Sequence, residues 1–248
     1  MAAVSIIGLD LAWGERRPDG MCLLRGGDRR AQVVRHDLVF GDEALLAWFR
    51  GHVPAGPALV MVDGPIVCPN PAGSRPVDRL THTLFGRFHA ACHPANATKC
   101  PRPARVAARL AELGFTVGWA PARGSRLVAE VYPHPAMVRL FGLDRIVKYK
   151  QGPVTGRRRE FRRLQRLLRA CLAVQFPEVS PSAETRRLLR APWTKHVEDR
   201  TDALFCALLG WQHWRDRGRS SEVIGDRATG FILLPRLNAA LGRACAVE

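Results

Sequence analysis

Apolar residues at the start of the chain form a nearly continuous run that carries one acid close to its end. Residues 4–11 read VSIIGLDL, and Asp10 is their only charged residue. A run without polar alternation is typical of a strand that is buried on both faces. An ionised carboxylate beside such a strand is costly to bury unless a positive charge meets it. The pattern therefore predicts a first buried strand with Asp10 at its end.

The next four segments continue with short connections. Residues 20–27 and 29–40 have strand character, and three closely connected strands predict an antiparallel meander. Residues 41–53 have apolar positions at helical spacing and acids in the first turn, which predicts a helix. Residues 57–66 form a second buried apolar run, in which Asp63 marks the end of the strand. A strand, a crossover helix and another strand indicate an α/β sheet covered by helices.

The rest of the chain is divided by one long segment without a hydrophobic period. Residues 67–104 are rich in Pro, Gly, Arg and His, so they predict an irregular insertion or lid. Beyond them, strands are predicted at 115–120, at 126–135 and on both sides of 226–230, and helices at 104–114, 135–143, from about 157 to 174, and 194–218. The last helix is apolar nearly all round, which predicts deep burial.

Length and composition place these elements in one domain. A chain of 248 residues is long enough for a single large α/β domain with an insertion at 67–104. No window approaches the ~18 uninterrupted apolar residues of a membrane span, and the first residues lack the basic region of a signal peptide. Seven scattered cysteines without a CxxC pair suggest reduced thiols. We therefore expect a cytoplasmic protein that does not interact with membranes.

One stretch invites a zinc interpretation, because it combines several soft ligands: Cys68, Cys92, Cys100, His82, His89 and His93. Their spacing fits no compact zinc finger, and buried thiols without a metal are common. A structural metal is therefore not favoured.

The net charge favours a polyanionic partner. Thirty-eight Lys and Arg residues against 22 Asp and Glu give a formal charge of +16. Such a charge attracts nucleic acid through counterion release, whatever the base sequence. The helix from about Arg157 carries arginines on the face opposite its apolar residues, and that face is either a solvated surface or a phosphate-binding one.

Acids recur at strand ends and at one helix start. Asp10 and Asp63 end strands, Glu130 lies near the end of another, and Asp199 and Asp202 lie three residues apart on a helix. Neighbouring strands are about 5 Å apart, and helical residues three apart share a face, so these acids could converge. Carboxylates that crowd together need a cation, and Mg²⁺ or Mn²⁺ with oxygen ligands would provide it. Two such ions support phosphodiester hydrolysis.

Each acid also has a structural explanation. Asp63 precedes Gly64 and Pro65 and could form a turn. Asp199 and Asp202 could interact favourably with the dipole of a helix N-terminus, and Glu130 could pair with an arginine. Their order along the predicted elements nevertheless favours one shared site.

Several short motifs in this order resemble a known family. The motifs are GLDLAW, VDGPI followed by GSRPVDR, EVYPHPAMVRLFG, KYKQG, and the pair EDRTDALFCAL and VIGDRATGFILLP. The element order is similar to that of the ribonuclease H-like fold and its RuvC-type branch. More narrowly, the chain resembles the DUF429 proteins, described as predicted nucleases of this fold.

The resemblance implies a mixed sheet of three antiparallel strands followed by parallel strands, flanked by helices. It implies four metal ligands, Asp10, Asp63, Asp199 and Asp202, with Glu130 as a possible fifth acidic member of the catalytic set. Arg75, Asp78 and Arg79 match the polar motif after the fourth strand. We assign Arg75 and Arg79 to substrate binding.

The main functional hypothesis is a metal-dependent nuclease or phosphodiesterase that acts on nucleic acid. In it Asp10 bridges two Mg²⁺ or Mn²⁺ ions, Asp63 and Asp202 complete the coordination, and Asp199 helps or positions water. Three further residues would contact phosphate or the leaving group: His134, Lys148 and Lys150.

Two alternatives stay open. The first is a binding module without catalysis that holds RNA or a protein on the arginine-rich helix. The second is an ATP-handling enzyme of the actin and sugar-kinase type, which also begins with an Asp-bearing strand and a turn. That type requires a glycine-rich turn directly after the Asp, whereas residues 9–20 here contain Trp13 and several charges.

Overall fold

The computed structural model describes residues 3–27, 29–122 and 124–236. One sheet contains nine strands: Val4–Asp10 (β1), Asp19–Gly26 (β2), Ala31–Val39 (β3), Ala58–Asp63 (β4), Thr116–Val117 (β5), Arg126–Val131 (β6), Val179–Ser180 (β7), Ser221–Asp226 (β8) and Gly230–Pro235 (β9). The helices are Gly41–His52 (α1), Pro76–Phe85 (α2), Pro101–Ala111 (α3), Pro133–Phe141 (α4), Val154–Val174 (α5), Ala183–Leu188 (α6) and Lys195–Arg215 (α7), with a 3₁₀ turn at Gly86–Phe88.

The sheet confirms the predicted combination of antiparallel and parallel strands. Its order is β7-β3-β2-β1-β4-β6-β9-β8, and β5 pairs with β6. Strand β2 is antiparallel to both β1 and β3, whereas β4 is parallel to β1 and β6 is parallel to β4. The final pair, β8 and β9, lies on both sides of residues 226–230 as predicted, and it is again antiparallel. In the described part of the chain, no helix has the length and apolarity needed to cross a bilayer.

Some predicted elements were wrong in detail. The segment 67–104 is not irregular throughout, because it contains α2, the 3₁₀ turn and the start of α3. Pro76 starts α2 at a position where a missing N–H costs nothing, and Val77, Thr81 and Phe85 form its buried face. The predicted strand at 115–120 has only two residues, and the short helix α6 was not predicted.

Helix α7 lies directly against the centre of the sheet because glycines leave room for its backbone. A Cβ on Gly8 of β1 would clash with the main-chain oxygen of Ala203. A Cβ on Gly20 of β2 would likewise overlap the main-chain carbonyl of Asp199. Fifteen residues of α7 are buried, which confirms the predicted deep burial of this helix.

The contacts of α7 define which strand positions share its face of the sheet. Gly210 of α7 lies against Ile6 of β1 and Met61 of β4. Since side chains alternate between the two faces of a strand, Asp10 and Asp63 point to this same face. The face of α7 is therefore the one on which the two strand-end acids meet.

A buried ion pair attaches α3 to the β2 side of the sheet. Arg102 Nη2 lies 2.6 Å from Asp19 Oδ2, and both side chains are fully buried. Arg102 Nε donates to Asp42 Oδ1 of α1 at 2.8 Å, and Arg102 Nη1 donates to the main-chain oxygen of Ala12. Arg102 thus fixes the loop that follows Asp10 relative to α1 and α3.

Candidate active site

Two carboxylates lie side by side where the central parallel strands end. Asp10 of β1 and Asp63 of β4 are register partners, so their Cα atoms are separated by one strand spacing, about 5 Å. The apolar residues before them, such as Leu9 and Val62, are buried and hold both strands in the core. The strand ends therefore bring together two acids that are 53 residues apart in the chain.

A lysine connects Asp63 with Asp202 of α7. Lys150 Nζ lies 2.8 Å from Asp202 Oδ2 and 3.7 Å from Asp63 Oδ2. The other oxygen of Asp202 accepts a hydrogen bond of 2.7 Å from the Tyr149 hydroxyl. Asp202 is completely buried, and its Oδ2 has no well-aligned hydrogen bond among the described residues. One ammonium group thus faces two carboxylates on different elements.

A second lysine belongs to the first turns of α7. Lys195 Nζ lies 2.7 Å from Asp199 Oδ1 and 2.7 Å from Glu198 Oε1. Glu198 also accepts a hydrogen bond of 2.7 Å from Trp193 Nε1. Both acids are buried, whereas Lys195 is 44% exposed, so only the lysine side of this cluster reaches solvent freely.

The two lysines leave the acids of this site incompletely neutralised. Burial raises the pKa of Asp10 well above its ordinary value, Lys150 opposes this, and Asp202, Asp63 and Asp199 raise it further. Burial also raises the pKa of Asp63 to about 6, against the effect of Lys150. Burial opposes the ionisation of Lys150, but Asp202 and the neighbouring acids raise its pKa. The site therefore holds more carboxyl groups than ammonium groups, and a further cation would stabilise their ionised forms.

The structure does not bring Glu130 into this group. Glu130 is the register partner of Val62, which places it on the opposite face of the sheet from Asp63. There it binds Arg75 through two bonds, Nη1 to Oε2 at 2.8 Å and Nη2 to Oε1 at 2.7 Å. Arg75 also binds Asp78 Oδ1 at 2.8 Å, and all three side chains are buried.

This arrangement is typical of a structural network. Arg75, predicted to bind substrate, uses its guanidinium on Glu130, Asp78 and the main-chain oxygen of Val67. Burial raises the pKa of Glu130 to about 7, and the Arg75 guanidinium counteracts that rise.

The other predicted substrate contacts are distributed around the site. His134 at the start of α4 has a buried Nδ1 without a hydrogen-bond partner among the described residues, and burial followed by Lys150 lowers its pKa to about 4. Lys148 is exposed two residues before Lys150. Arg79 is exposed on α2, where its Nη1 donates to the main-chain oxygen of Ser74 at 2.7 Å.

A cleft of about 540 Å³ opens beside Asp10. It is lined by the loop between β1 and β2 and by two residues of α7, Lys195 and Asp199. Trp13 lies in this loop, is 36% exposed, and has Lys99 Nζ 5.7 Å from its ring centroid. Arg16 and Arg17 also line the cleft, so a negatively charged ligand that reaches Asp10 would meet both.

The carboxylate oxygens of the site suit a hard divalent cation, although the side chains of the described residues alone do not surround such an ion. Within residues 3–27, 29–122 and 124–236, no group of three or more His, Cys, Asp or Glu side chains is arranged to hold a metal ion. Mg²⁺ usually keeps several waters and binds one or two carboxylates together with substrate phosphates. Asp10 and Asp63 would supply these two carboxylates. The binding of one metal centre by all four predicted ligands, Asp10, Asp63, Asp199 and Asp202, stays a prediction.

Sequence reasoning did not identify two residues of the site. Lys195 lies four residues before Asp199 on one helix, so i,i+4 spacing could have found it. Tyr149 precedes Lys150 in the KYKQG motif, but its bond to Asp202 depends on tertiary packing.

Gly20 gives a direct test of how α7 is positioned. We expect Gly20→Ala to lower the free energy of unfolding by about 1–3 kcal/mol, because the new Cβ would displace the main chain at Asp199. Denaturant unfolding followed by circular dichroism measures the change. Gly156→Ala on α5 is the matched control; its Cβ would meet nothing within 4 Å, so we expect unchanged stability or a gain of up to ~1 kcal/mol. Equal effects of both substitutions would contradict the proposed packing.

Comparison with known proteins gives a family and no function. Among curated proteins, none matches this chain significantly. A family model described as "Protein of unknown function (DUF429)" matches residues 8–228, a segment that begins at the strand carrying Asp10 and includes α7. Since this match covers most of the sequence, the chain belongs to the DUF429 family.

Proposed function

We propose that this protein is a metal-dependent nuclease or phosphodiesterase that hydrolyses nucleic acid through the carboxylates beside β1. The observation that carries the proposal is the pairing of Asp10 with Asp63 at the strand ends, where Lys150 Nζ joins Asp63 to Asp202. Counting Asp199, four acids from two strands and a helix face two lysines, Lys150 and Lys195. Such an excess of buried negative charge is expensive unless function requires it.

The resident residues have separable roles in this proposal. Asp10 and Asp63 would hold Mg²⁺ or Mn²⁺, which would polarise the phosphate and lower the pKa of a bound water. Asp202, fixed by the Tyr149 hydroxyl, and Asp199 would complete the negative surface around the ion. Lys150 would neutralise part of that charge and contact the phosphate.

The surroundings support a nucleic-acid substrate. The net charge of +16 favours polyanions, and Arg16 and Arg17 line the cleft that leads to Asp10. The order of three antiparallel strands, a helix and a parallel strand supports the proposed kinship with the ribonuclease H-like superfamily.

A survey of substrates tests the proposal. The four labelled substrates are single-stranded DNA, double-stranded DNA, single-stranded RNA and double-stranded RNA. We expect the purified protein with Mn²⁺ to cleave at least one of them, and we expect cleavage to stop when EDTA is added. Gel electrophoresis of the products measures the reaction. Product formation that EDTA does not affect, or no product from all four substrates, would contradict a metal-dependent nuclease.

A second candidate is a binding protein without catalysis, and the arginines of α5 favour it. The helix has 21 residues and exposes a series of basic side chains, Arg158, Arg159, Arg162, Arg163 and Arg166. This alternative expects nucleic-acid affinity that falls steeply with salt but does not change with EDTA. Nothing comparable favours an ATP-handling enzyme, because the loop of residues 11–18 contains a single glycine, Gly14.

A further inference from the structure

A separate cleft lies where α5 approaches α6, and arginines supply all of its charge. Its volume is about 360 Å³, and Arg169, Arg186 and Arg190 line it. The other lining residues are apolar, and none is acidic. We call these three residues and the space between them the arginine cleft.

The arginines of this cleft bind only neutral main-chain oxygens. Arg169 Nη1 donates to Leu189 at 2.6 Å, Arg186 Nη1 to Pro181 at 2.7 Å, and Arg190 Nη1 to Arg186 at 3.2 Å. No carboxylate forms an ion pair with any of the three within the described residues. A guanidinium has five N–H donors, so most donors here remain available to a ligand.

The positive charges also repel one another. Burial lowers the pKa of Arg169, and the neighbouring Arg190 and Arg166 lower it further. Arg102 and Arg105, by contrast, share the carboxylate of Asp42. Three unneutralised guanidiniums around a concavity are therefore a cost that an anion would remove.

We propose that the arginine cleft is a binding site for a phosphate group. Guanidinium forks match the oxygens of phosphate in bidentate geometry, and phosphate offers enough acceptors for several arginines at once. The ligand is either one phosphate in the backbone of a nucleic-acid strand or the phosphate of a free small molecule.

The position of the cleft favours a strand. Arg157, near the start of α5, lies 4.8 Å from the ring centroid of Trp193, and Trp193 binds Glu198 beside Asp199. Arg169 lies 12 residues further along the same helix, a distance of about 18 Å at 1.5 Å per residue. At about 3.4 Å per nucleotide, roughly five nucleotides would span that distance. This choice of ligand rests on the proposed function, whereas phosphate binding itself does not.

Binding without cleavage gives the test, and EDTA is present throughout. The variant Arg169→Gln/Arg186→Gln/Arg190→Gln is compared with wild type in fluorescence anisotropy, with single-stranded oligonucleotides of about 12 and about 3 nucleotides. We expect the longer strand to bind about 10-fold more weakly to the variant, and the shorter strand to bind both proteins equally. Calorimetry with inorganic pyrophosphate tests the same cleft for a free phosphate ligand.

Two further variants make the result interpretable. Arg29→Gln/Arg50→Gln/Arg145→Gln removes the same charge from exposed positions, and we expect less than about a 2-fold effect on the longer strand. Arg186→Gln/Arg190→Gln leaves the Arg169–Leu189 contact intact, so it remains informative if the triple variant does not fold.

The outcomes distinguish a nucleic-acid strand from a free small molecule as the source of the phosphate. They also separate the proposal for the arginine cleft from the proposal for the nuclease. Pyrophosphate binding that the variant loses, with strand affinity unchanged, would assign the cleft to a small phosphorylated molecule. Wild-type affinity of the variants for both strands and for pyrophosphate would overturn the site. Strand binding that depends on the cleft, in a protein that cleaves nothing, would support the cleft while contradicting the nuclease.

Discussion

Replacing Asp10 with asparagine is expected to reduce Mn²⁺-dependent cleavage by at least about 10³-fold. Asp10 is next to Asp63 in register, lines the cleft and interacts electrostatically with Asp63, Asp199 and Asp202. Asparagine keeps the size of the side chain but removes the charge that a divalent cation needs. Initial rates on the best oligonucleotide, measured over a range of Mn²⁺ concentrations, give the loss.

The same variant is expected to be at least as stable as the wild-type protein. Burial and three neighbouring acids raise the pKa of Asp10, so its carboxylate is destabilised in the folded state. Removing that charge relieves the repulsion, and a melting temperature equal to or above that of the wild type would exclude misfolding as the cause of inactivity. Asp144→Asn, at an exposed position, is the control for loss of one carboxylate. Cleavage by Asp10→Asn at the wild-type rate would remove Asp10 from the active site.

The central strands and their acids could be predicted because the relevant information is local. The apolar runs around Ile7 and Val60 have no polar alternation, so each indicates a strand buried on both faces. Two antiparallel connections give β3 the direction of β1, the crossover through α1 then makes β4 parallel to β1, and parallel neighbours end at the same edge. Asp10 and Asp63 were therefore expected to meet, and they are register partners.

Glu130 illustrates what the sequence did not determine. It ends a third apolar run, and nothing local distinguishes it from Asp63. The register of β6 against β4 pairs it with Val62 instead, and a difference of one residue sends a side chain to the other face. The register of a strand depends on packing across the whole sheet, so the pairing of Glu130 with Arg75 could be identified only from the structure.

Helix α2 was missed for a different reason. Its apolar residues Val77, Leu80, Leu84 and Phe85 have helical spacing, but they lie within a segment whose content of Pro, Gly, Arg and His predicts irregular structure. Arg75 stabilises this helix, because it neutralises Asp78 in the interior. A buried ion network, which no hydrophobic pattern reveals, thus holds this helix in place.

Arg75→Met should have the largest effect on stability. The substitution leaves the carboxylates of Glu130 and Asp78 buried without their cation, and such a loss typically costs about 3–5 kcal/mol. For a protein of this size we expect the melting temperature to fall by roughly 10 °C. Denaturant and thermal unfolding measure both quantities.

Further variants test whether Glu130 has a structural or a catalytic role. Arg79→Met removes an exposed arginine of the same helix, and we expect a change within about 0.5 kcal/mol. Combining Arg75→Met with Glu130→Gln should cost less than the sum of the two single substitutions, because removing the charge of Glu130 also removes the penalty of leaving it unpaired. If Glu130 instead binds the metal, Glu130→Gln will weaken Mn²⁺ binding in calorimetry while the free energy of unfolding stays unchanged. We expect the reverse: Glu130→Gln should lower the free energy of unfolding and leave Mn²⁺ binding unchanged. Glu130 binds Arg75, and the strand register separates Glu130 from Asp10 and Asp63.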